Sequence, residues 1–409
     1  MITQAMVLCG GLGTRLGSLT ADTPKPLLHV GDRPFLDVLL HELGRHGIRD
    51  VVFLASFHHD KIADYARDNP VAKRFGMQLR VSVEPEQAGT GGALAHALPL
   101  AQDEFLVLNG DSWFDINVLA LEALSGRLAY ADVVLTLREI PNADRYGVVV
   151  TEGEKVLSFL ERQAEPGPGL VNAGIYLMRK SALASVPAVC SLERDVLPAL
   201  IEQGRVAACR FDGYFLDIGV PQSFAQAQSE VPRQLRRPAC FFDRDGVLNR
   251  DDGYVGQVDR FVWIEGAREA IKACNDAGWF VFVVTNQAGV ARGYYTEDDV
   301  HHLYAHIQSE IRAVGAHIDD LRYCPYHPDG VVERYKRTHP WRKPEPGMLL
   351  DLIEHWNIDL DRSCFIGDQE TDIRAGDSIN LRTHLFTGGN LLAFMKTAQI
   401  LPDASAERR

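Results

Sequence analysis

The sequence lacks any apolar run approaching the ~18–20 residues that span a bilayer, so an integral membrane protein is not expected. It lacks a positive excess: 42 Lys and Arg stand against 55 Asp and Glu, a formal net charge of -13. That balance argues against general binding to nucleic acid or to an anionic membrane. Anionic small molecules must then be held by local cations and oriented amides. The seven cysteines are odd in number and scattered, and no Cys-x-x-Cys occurs. Reduced thiols and a cytoplasmic location are the expectation. The opening residues Met1–Leu8 carry no basic stretch before their apolar run, so no signal peptide is expected. Internal repeats and low-complexity tracts are missing too. Nothing in the composition decides for or against a homo-oligomer.

What is present is an alternation of short β-branched runs with helical patterns, the mark of α/β folds with parallel sheets. Expected strands lie at Ala5–Leu8, Val51–Ala55, Leu79–Val83, Phe105–Leu108, Val133–Leu137, Gly174–Met178, Val206–Arg210, Ala239–Phe242, Phe280–Thr285 and Cys364–Ile366. A polar stretch bracketed by Pro232 and Pro238 reads as a linker over 231–238. It separates a domain at 1–230 from one at 239–395, with a polar tail at 396–409. At 409 residues the chain is long enough for two cores.

The first expected strand runs into Gly10-Gly11-Leu12-Gly13-Thr14-Arg15, and Pro24-Lys25-Pro26 follows. Glycines let backbone N–H groups approach a phosphate chain closely. Arg15 and Lys25 add cations where a triphosphate would lie. No Gly-Lys-Ser/Thr closes the loop, so it is not a P-loop. Further along come Glu84-Pro85-Glu86-Gln87-Ala88-Gly89-Thr90-Gly91-Gly92, Asn109-Gly110-Asp111, Phe159-Leu160-Glu161-Arg162, Val171-Asn172-Ala173-Gly174 and Asp217-Ile218-Gly219.

In this order these segments resemble the sugar-phosphate nucleotidylyltransferases. The resemblance implies a Rossmann-like domain with a mixed, mostly parallel sheet. It implies nucleotide contacts from Gly10, Gly11, Gly13, Thr14, Gln87, Gly89, Thr90 and Gly91. Glu161, Arg162 and Asn172 would face the sugar phosphate, and Asp111 and Asp217 would hold Mg²⁺. Arg162 departs from the family's usual Lys, exchanging a compact ammonium for a planar fork. In the chemistry implied, a sugar 1-phosphate oxygen attacks the α-phosphorus of a nucleoside triphosphate. Arg15 steadies the leaving pyrophosphate and Lys25 the reacting phosphates. Within the family, Asn109–Asp115, Asp144-Arg145-Tyr146-Gly147 and Tyr214–Pro221 are most similar to the heptose 1-phosphate guanylyltransferases.

The second half opens on a four-residue apolar run delivering Asp243-Arg244-Asp245-Gly246-Val247-Leu248-Asn249. Thr285-Asn286, Arg342-Lys343-Pro344 and Gly367-Asp368 with Asp372 follow in order. This pattern resembles the haloacid-dehalogenase (HAD) phosphatases, which implies a doubly wound parallel sheet. The resemblance makes Asp243 the nucleophile and Asp245 the acid and base. Thr285 and Lys343 would bind the phosphoryl group. Mg²⁺ would sit on Asp243, Asp368 and the Asp245 carbonyl. Asp372 would support the metal shell or a turn. Gly253-Tyr254-Val255 and Thr285–Gly293 are most similar to the heptose 1,7-bisphosphate and histidinol phosphatases. Asn249, Asn286, Arg292 and Arg342 are then substrate-binding candidates, with the two arginines gripping a second phosphate.

Many members of that group carry a structural zinc loop before Arg-Lys-Pro. Here Tyr326 and Trp341 stand where ligands are expected, leaving Cys324, His327 and His339, so zinc is not expected. The joint expectation is a bifunctional enzyme that dephosphorylates a heptose bisphosphate and then forms a nucleotide-sugar. Another sugar for the same two chemistries, or one half acting only as a sensor, are the alternatives.

Overall fold

The computed structural model describes residues 1–11, 13–85, 87–143, 147–160 and 167–401. The chain divides into two compact units, Met1–Gln234 and Leu235–Arg409.

The first unit is built on nine strands: β1 Gln4–Leu8, β2 Asp50–Ala55, β3 Gln78–Val83, β4 Glu104–Asn109, β5 Val133–Ile140, β6 Val148–Glu152, β7 Lys155–Leu160, β8 Gly169–Arg179 and β9 Val206–Arg210. Their order across the sheet is β3-β2-β1-β4-β8-β5-β9-β7-β6. Continuous apolar runs such as Ala5-Met6-Val7 are buried, as befits strands covered on both faces. Pairing is parallel through β3-β2-β1-β4 and between β5 and β9. Elsewhere it is antiparallel. The sheet is therefore more evenly mixed than expected, because among the described residues β5 to β8 follow one another without intervening helices.

Chain order places the site. β1 lies between β2 and β4, so successive crossovers leave it in opposite directions, and a crevice opens beyond its carboxyl end. Leu8 is in register with Asn109, and the Gly110 N–H donates to the Leu8 carbonyl at 3.0 Å. The glycine loop after β1 and the Asn109-Gly110-Asp111 turn after β4 thus share one edge. A two-stranded ribbon, Ser112–Phe114 with Phe215–Asp217, pairs Asp217 with Ser112.

The second unit carries a wholly parallel sheet of β10 Ala239–Phe242, β11 Phe280–Asn286, β12 Asp320–Cys324, β13 Cys364–Gly367 and β14 Arg382–Leu385. Their order is β12-β11-β10-β13-β14. Again the first strand is central, and its carboxyl end is the crevice.

Two boundaries differ from expectation. The stretch read as a linker is helical as far as Leu235, within a helix over Pro221–Leu235 that contains Pro232. Proline forfeits one backbone hydrogen bond there. Burial of Ala227, Val231 and Leu235, four residues apart, carries the helix through. Pro232 also packs closely over Gly31: a Cβ on that glycine would lie 2.9 Å from the ring. The polar tail begins later than 396, because Met395 and Ile400 belong to the core of the second unit.

Candidate active sites

In the first unit the loops after β1, β3 and β4 surround a cleft of about 940 Å³. Gly10, Gly11, Gly13, Thr14, Arg15, Lys25, Gln87, Gly89, Thr90 and Asp111 line it. Gly13 adopts φ 63, a conformation that favours glycine. Lys25 Nζ bonds Asp111 Oδ2 at 2.7 Å, joining the loop cation to the acid of the β4 turn. The ribbon brings Asp217 to the same place. Ile218 N donates to the Asp111 carbonyl at 2.9 Å, and Asp217 Oδ1 accepts the Gly219 N–H at 2.6 Å. A Cβ on Gly219 would lie 3.8 Å from Lys25 Nζ. Asp111 thus meets the lysine at the cleft with Asp217 close by on the ribbon, and two neighbouring carboxylates suit a divalent cation.

Other candidates are placed differently. Gly91 does not line the cleft. Its N–H donates to the Cys190 carbonyl, and its missing side chain makes room for Cys190, whose Sγ would be 2.6 Å from a Cβ. Asn172 spends its amide within β8, with Nδ2 donating to Tyr176 Oη at 2.6 Å. Glu161, Arg162 and Asp144-Arg145-Tyr146 lie outside the described residues. Sequence reasoning missed the segment around Val189–Asp195, which closes one side of the cleft. Its five-residue π-helical turn, Leu192–Val196, bears Glu193, whose Oε2 accepts from Thr90 Oγ1 at 2.9 Å. Single π turns often occur at functional sites, but no sequence motif announces this one.

In the second unit Asp243 leaves the end of β10, its N–H held by the Ile366 carbonyl at 2.9 Å. It is 7% exposed. Lys343 Nζ lies 2.9 Å from Asp243 Oδ1 and 2.7 Å from Asp372 Oδ1, and donates to the Val284 carbonyl at 3.0 Å. Asn286 grips the lysine backbone from both sides, with Nδ2 on its carbonyl and Oδ1 on its N–H, each at 3.1 Å. Burial pushes the Asp243 carboxyl up to about 7, Lys343 pulls it down, and Asp372 and Asp245 push it further up. Burial also raises Asp368.

Oxygens of Asp243, Asp368 and Asp372 all lie within 4.8 Å of one another, and Asp368 Oδ1 is buried without a hydrogen-bond partner among the described residues. Three crowded carboxylates with one lysine carry surplus negative charge, and the residues fit a divalent cation. Gly246, at φ 85, leaves the room that Asp368 Oδ2 occupies.

Asp245 accepts from Arg244 Nη2 and Asn249 Nδ2 through one oxygen, at 2.9 and 3.0 Å, and from Gln287 Nε2 through the other at 2.9 Å. Asn249 is fully buried, and its Nδ2 donates to Asp245 Oδ1 and to the Arg250 carbonyl, so it helps to hold the acid. Asn286 likewise positions Lys343. Gln287 was overlooked as a site residue; it bridges Asp245 and Thr285 Oγ1 and accepts from Tyr295 Oη at 2.6 Å. Arg292 and Arg342 come together with His327: burial, then Arg342, then Arg292, lower the imidazole. Arg292 stacks over Tyr254 at 5.8 Å, and Tyr254 packs edge-on against Tyr294 at 4.9 Å. Among the described residues neither guanidinium has an ion-pair partner, and Arg292 Nε is buried with no hydrogen bond.

Among the described residues Cys324, His327 and His339 do not bring three ligand atoms together. His327 Nδ1 accepts the Asp329 N–H at 3.0 Å and His339 Nδ1 accepts the Trp341 N–H at 3.1 Å. Tyr326 stacks on His339 at 4.4 Å, and Arg337 covers Tyr326 at 4.2 Å. Trp341 meets His339 edge-on.

Residues 4–234 match the nucleotidyl transferase family, and residues 340–406 match a HAD-hydrolase-like family. Over 165 residues the chain is 44% identical to the D-glycero-beta-D-manno-heptose-1,7-bisphosphate 7-phosphatase of Rhodopseudomonas palustris, covering 40% of this chain and 92% of that protein. Over 224 residues it is 38% identical to the D-glycero-alpha-D-manno-heptose 1-phosphate guanylyltransferase of Campylobacter jejuni, covering 54% of this chain and 96% of that protein. The crystal structure of HddC from Yersinia pseudotuberculosis is similar at a TM-score of 0.50 and 29% identity, covering 56% of this chain and 100% of that one. No helix among the described residues is long and apolar enough to cross a membrane. The chain belongs to the nucleotidyl transferase family, joined in one polypeptide to a phosphatase of the HAD type.

Proposed function

We propose that the second unit removes the 7-phosphate of D-glycero-D-manno-heptose 1,7-bisphosphate, and that the first transfers GMP from GTP to the resulting heptose 1-phosphate. One observation carries this reading. The chain matches two sets of relatives along most of their own lengths, and two of the printed names, the D-glycero-alpha-D-manno-heptose-1,7-bisphosphate 7-phosphatase of Burkholderia mallei and the D-glycero-alpha-D-manno-heptose 1-phosphate guanylyltransferase of Campylobacter jejuni, describe steps in which the product of one is the substrate of the next.

In the phosphatase site Asp243 attacks phosphorus while the P–O7 bond breaks. Asp245 gives its proton to the departing sugar oxygen and then takes one from the water that opens the aspartyl-phosphate. Arg244, Asn249 and Gln287 hold Asp245 in place for both transfers. Thr285 and Lys343 bind the phosphoryl oxygens. Arg292 and Arg342, two unpaired cations near one another, suit the phosphate at the other end of the sugar. In the first unit, loop amides and Arg15 hold the triphosphate. The sugar phosphate oxygen displaces pyrophosphate at the α-phosphorus, and Lys25 balances charge beside Asp111. Asp243, Asp368 and Asp372 in one site, and Asp111 and Asp217 in the other, would hold Mg²⁺. When bound, it neutralises charge on the reacting phosphates.

The test is an incubation of heptose 1,7-bisphosphate with GTP and Mg²⁺. Inorganic phosphate, pyrophosphate and GDP-heptose should appear in equal amounts, with pyrophosphate release dependent on prior phosphate release. Equal turnover of mannose or glucose phosphates would defeat the assignment of the sugar.

A further inference from the structure

The amide that holds Asp245 is itself held. Tyr295 stands just before a helix over Glu297–Arg312, which opens on a capping box of Thr296 and Asp299. Its ring is buried and clusters with Val290, Ala291 and Val300. Two glycines make the slot in which it lies. A Cβ on Gly256 would stand 2.2 Å from the ring Cγ, and a Cβ on Gly289 would stand 2.2 Å from Cε1. Neither glycine has a positive φ, so it is the space and not the backbone that requires them. The slot aims the phenol at Gln287, whose Oε1 accepts from Tyr295 Oη at 2.6 Å. Burial pushes the phenol up to about 12, so the proton it donates stays in place.

A carboxamide keeps nearly the same shape when its oxygen and nitrogen trade places, so hydrogen bonds decide which way it faces. The Gln287 side chain is buried, and its bonds agree with one another. Nε2 donates one hydrogen to Asp245 Oδ2 at 2.9 Å and the other to Thr285 Oγ1 at 2.8 Å. Since Thr285 Oγ1 accepts from the amide, its own hydrogen is left for a phosphoryl oxygen. In the opposite orientation Oε1 would oppose the Asp245 carboxylate and take the Thr285 hydrogen for itself. A donor at the far end keeps the oxygen there, and Tyr295 supplies that donor.

We propose that Tyr295 is a positioning residue for phosphate release. It fixes the Gln287 carboxamide so that one N–H steadies Asp245 for proton transfer to the departing sugar oxygen, while the other turns the Thr285 hydroxyl toward the phosphoryl group. This rests on the reading of Asp243 as nucleophile and Asp245 as acid.

Phosphate release by the full chain, from heptose 1,7-bisphosphate and from p-nitrophenyl phosphate with Mg²⁺, tests the assignment. A sugar alkoxide needs a proton in order to leave, whereas nitrophenolate leaves without one. Tyr295→Phe keeps the ring in its slot and removes one oxygen, leaving Gln287 Oε1 buried without that donor. The ratio of kcat/KM for the sugar phosphate to that for the aryl phosphate should fall about 10-fold, within the range of one buried hydrogen bond left unmade. Loss of folded protein lowers both rates alike and leaves the ratio where it was. Gln287→Met should lower the ratio at least as far. Adding Tyr295→Phe to Gln287→Met should then change nothing more, because the hydroxyl acts only through the amide. An unchanged ratio in Tyr295→Phe overturns the proposal, and so does a full additive loss in the double variant. If the wild type released phosphate from neither compound, the reading of the site as a phosphatase would fall, and the proposal with it.

Discussion

Replacing Lys343 with Met should expose how much of the second unit's stability hangs on one charge. The ammonium has three contacts, to Asp243 Oδ1, Asp372 Oδ1 and the Val284 carbonyl. It is 3% exposed. Met matches its length and fills its space, so the change deletes charge more than volume. Two buried carboxylates then face one another without a counter-cation. Removing one partner of a buried pair costs about 3–5 kcal/mol. For a domain of this size 1 kcal/mol moves the melting temperature by about 2–4 °C, so the shift should be roughly 6–20 °C.

The loss should depend on pH, with a definite sign. Asp243 already holds its proton up to about 7, mainly through burial. Its contribution to stability is therefore present below the unfolded carboxyl range and is lost as pH rises through about 7. Without Lys343 the Asp243 carboxyl holds its proton to higher pH still. At pH 5 Asp243 is neutral and the loss of the ammonium is felt least; at pH 8 there is more negative charge to offset and its loss costs more. Thermal unfolding of metal-free protein, followed by tryptophan fluorescence, reads this directly, because four of the five tryptophans, Trp263, Trp279, Trp341 and Trp356, lie in the second unit. A melting point unchanged at pH 8, or a deficit that grows toward low pH, would refute the reasoning.

Asp243→Asn should abolish phosphate release and leave nucleotidyl transfer from supplied heptose 1-phosphate near wild type, since the amide is no nucleophile; residual turnover in phosphate release above background contradicts the role. Fragments 1–235 and 236–409 should each retain one activity, whereas ending the first at 230 should lower its melting temperature by removing buried Val231; two folded but inactive fragments would contradict independent units. Chelation followed by Mg²⁺ repletion should restore phosphatase activity, with metal analysis showing well below one zinc per chain. Stoichiometric zinc, with unfolding on chelation, would show that Cys324, His327 and His339 exchange their present contacts for a metal.

Much was legible in the chain because certain signals are local. An apolar run ending in Asp243-x-Asp245, or in Asn109-Gly110-Asp111, reads directly as a strand delivering carboxylates to its carboxyl end. The glycine loop after β1 reads the same way, since glycine frequency and backbone freedom are properties of a few neighbouring residues. Contacts across the sequence were not legible. Asn249 stands inside a motif, yet it turns inward to Asp245, because the fold fills the space behind that acid. Gln287 acquires its role only where the end of β11 meets the loop after β10. Val189–Asp195 reaches the cleft through the crossing of distant segments, as the Thr90–Glu193 bond over 103 positions illustrates. The helix carried past Pro232 and the packed Ile400 record the same cause: burial, which local propensity does not encode, outweighed proline and polar composition. Residue types and their spacing determined which chemistry the chain can perform. Tertiary packing decided which side chains face the substrate and which hold the others still, because only the assembled fold says where water is excluded and where each lone pair finds its donor.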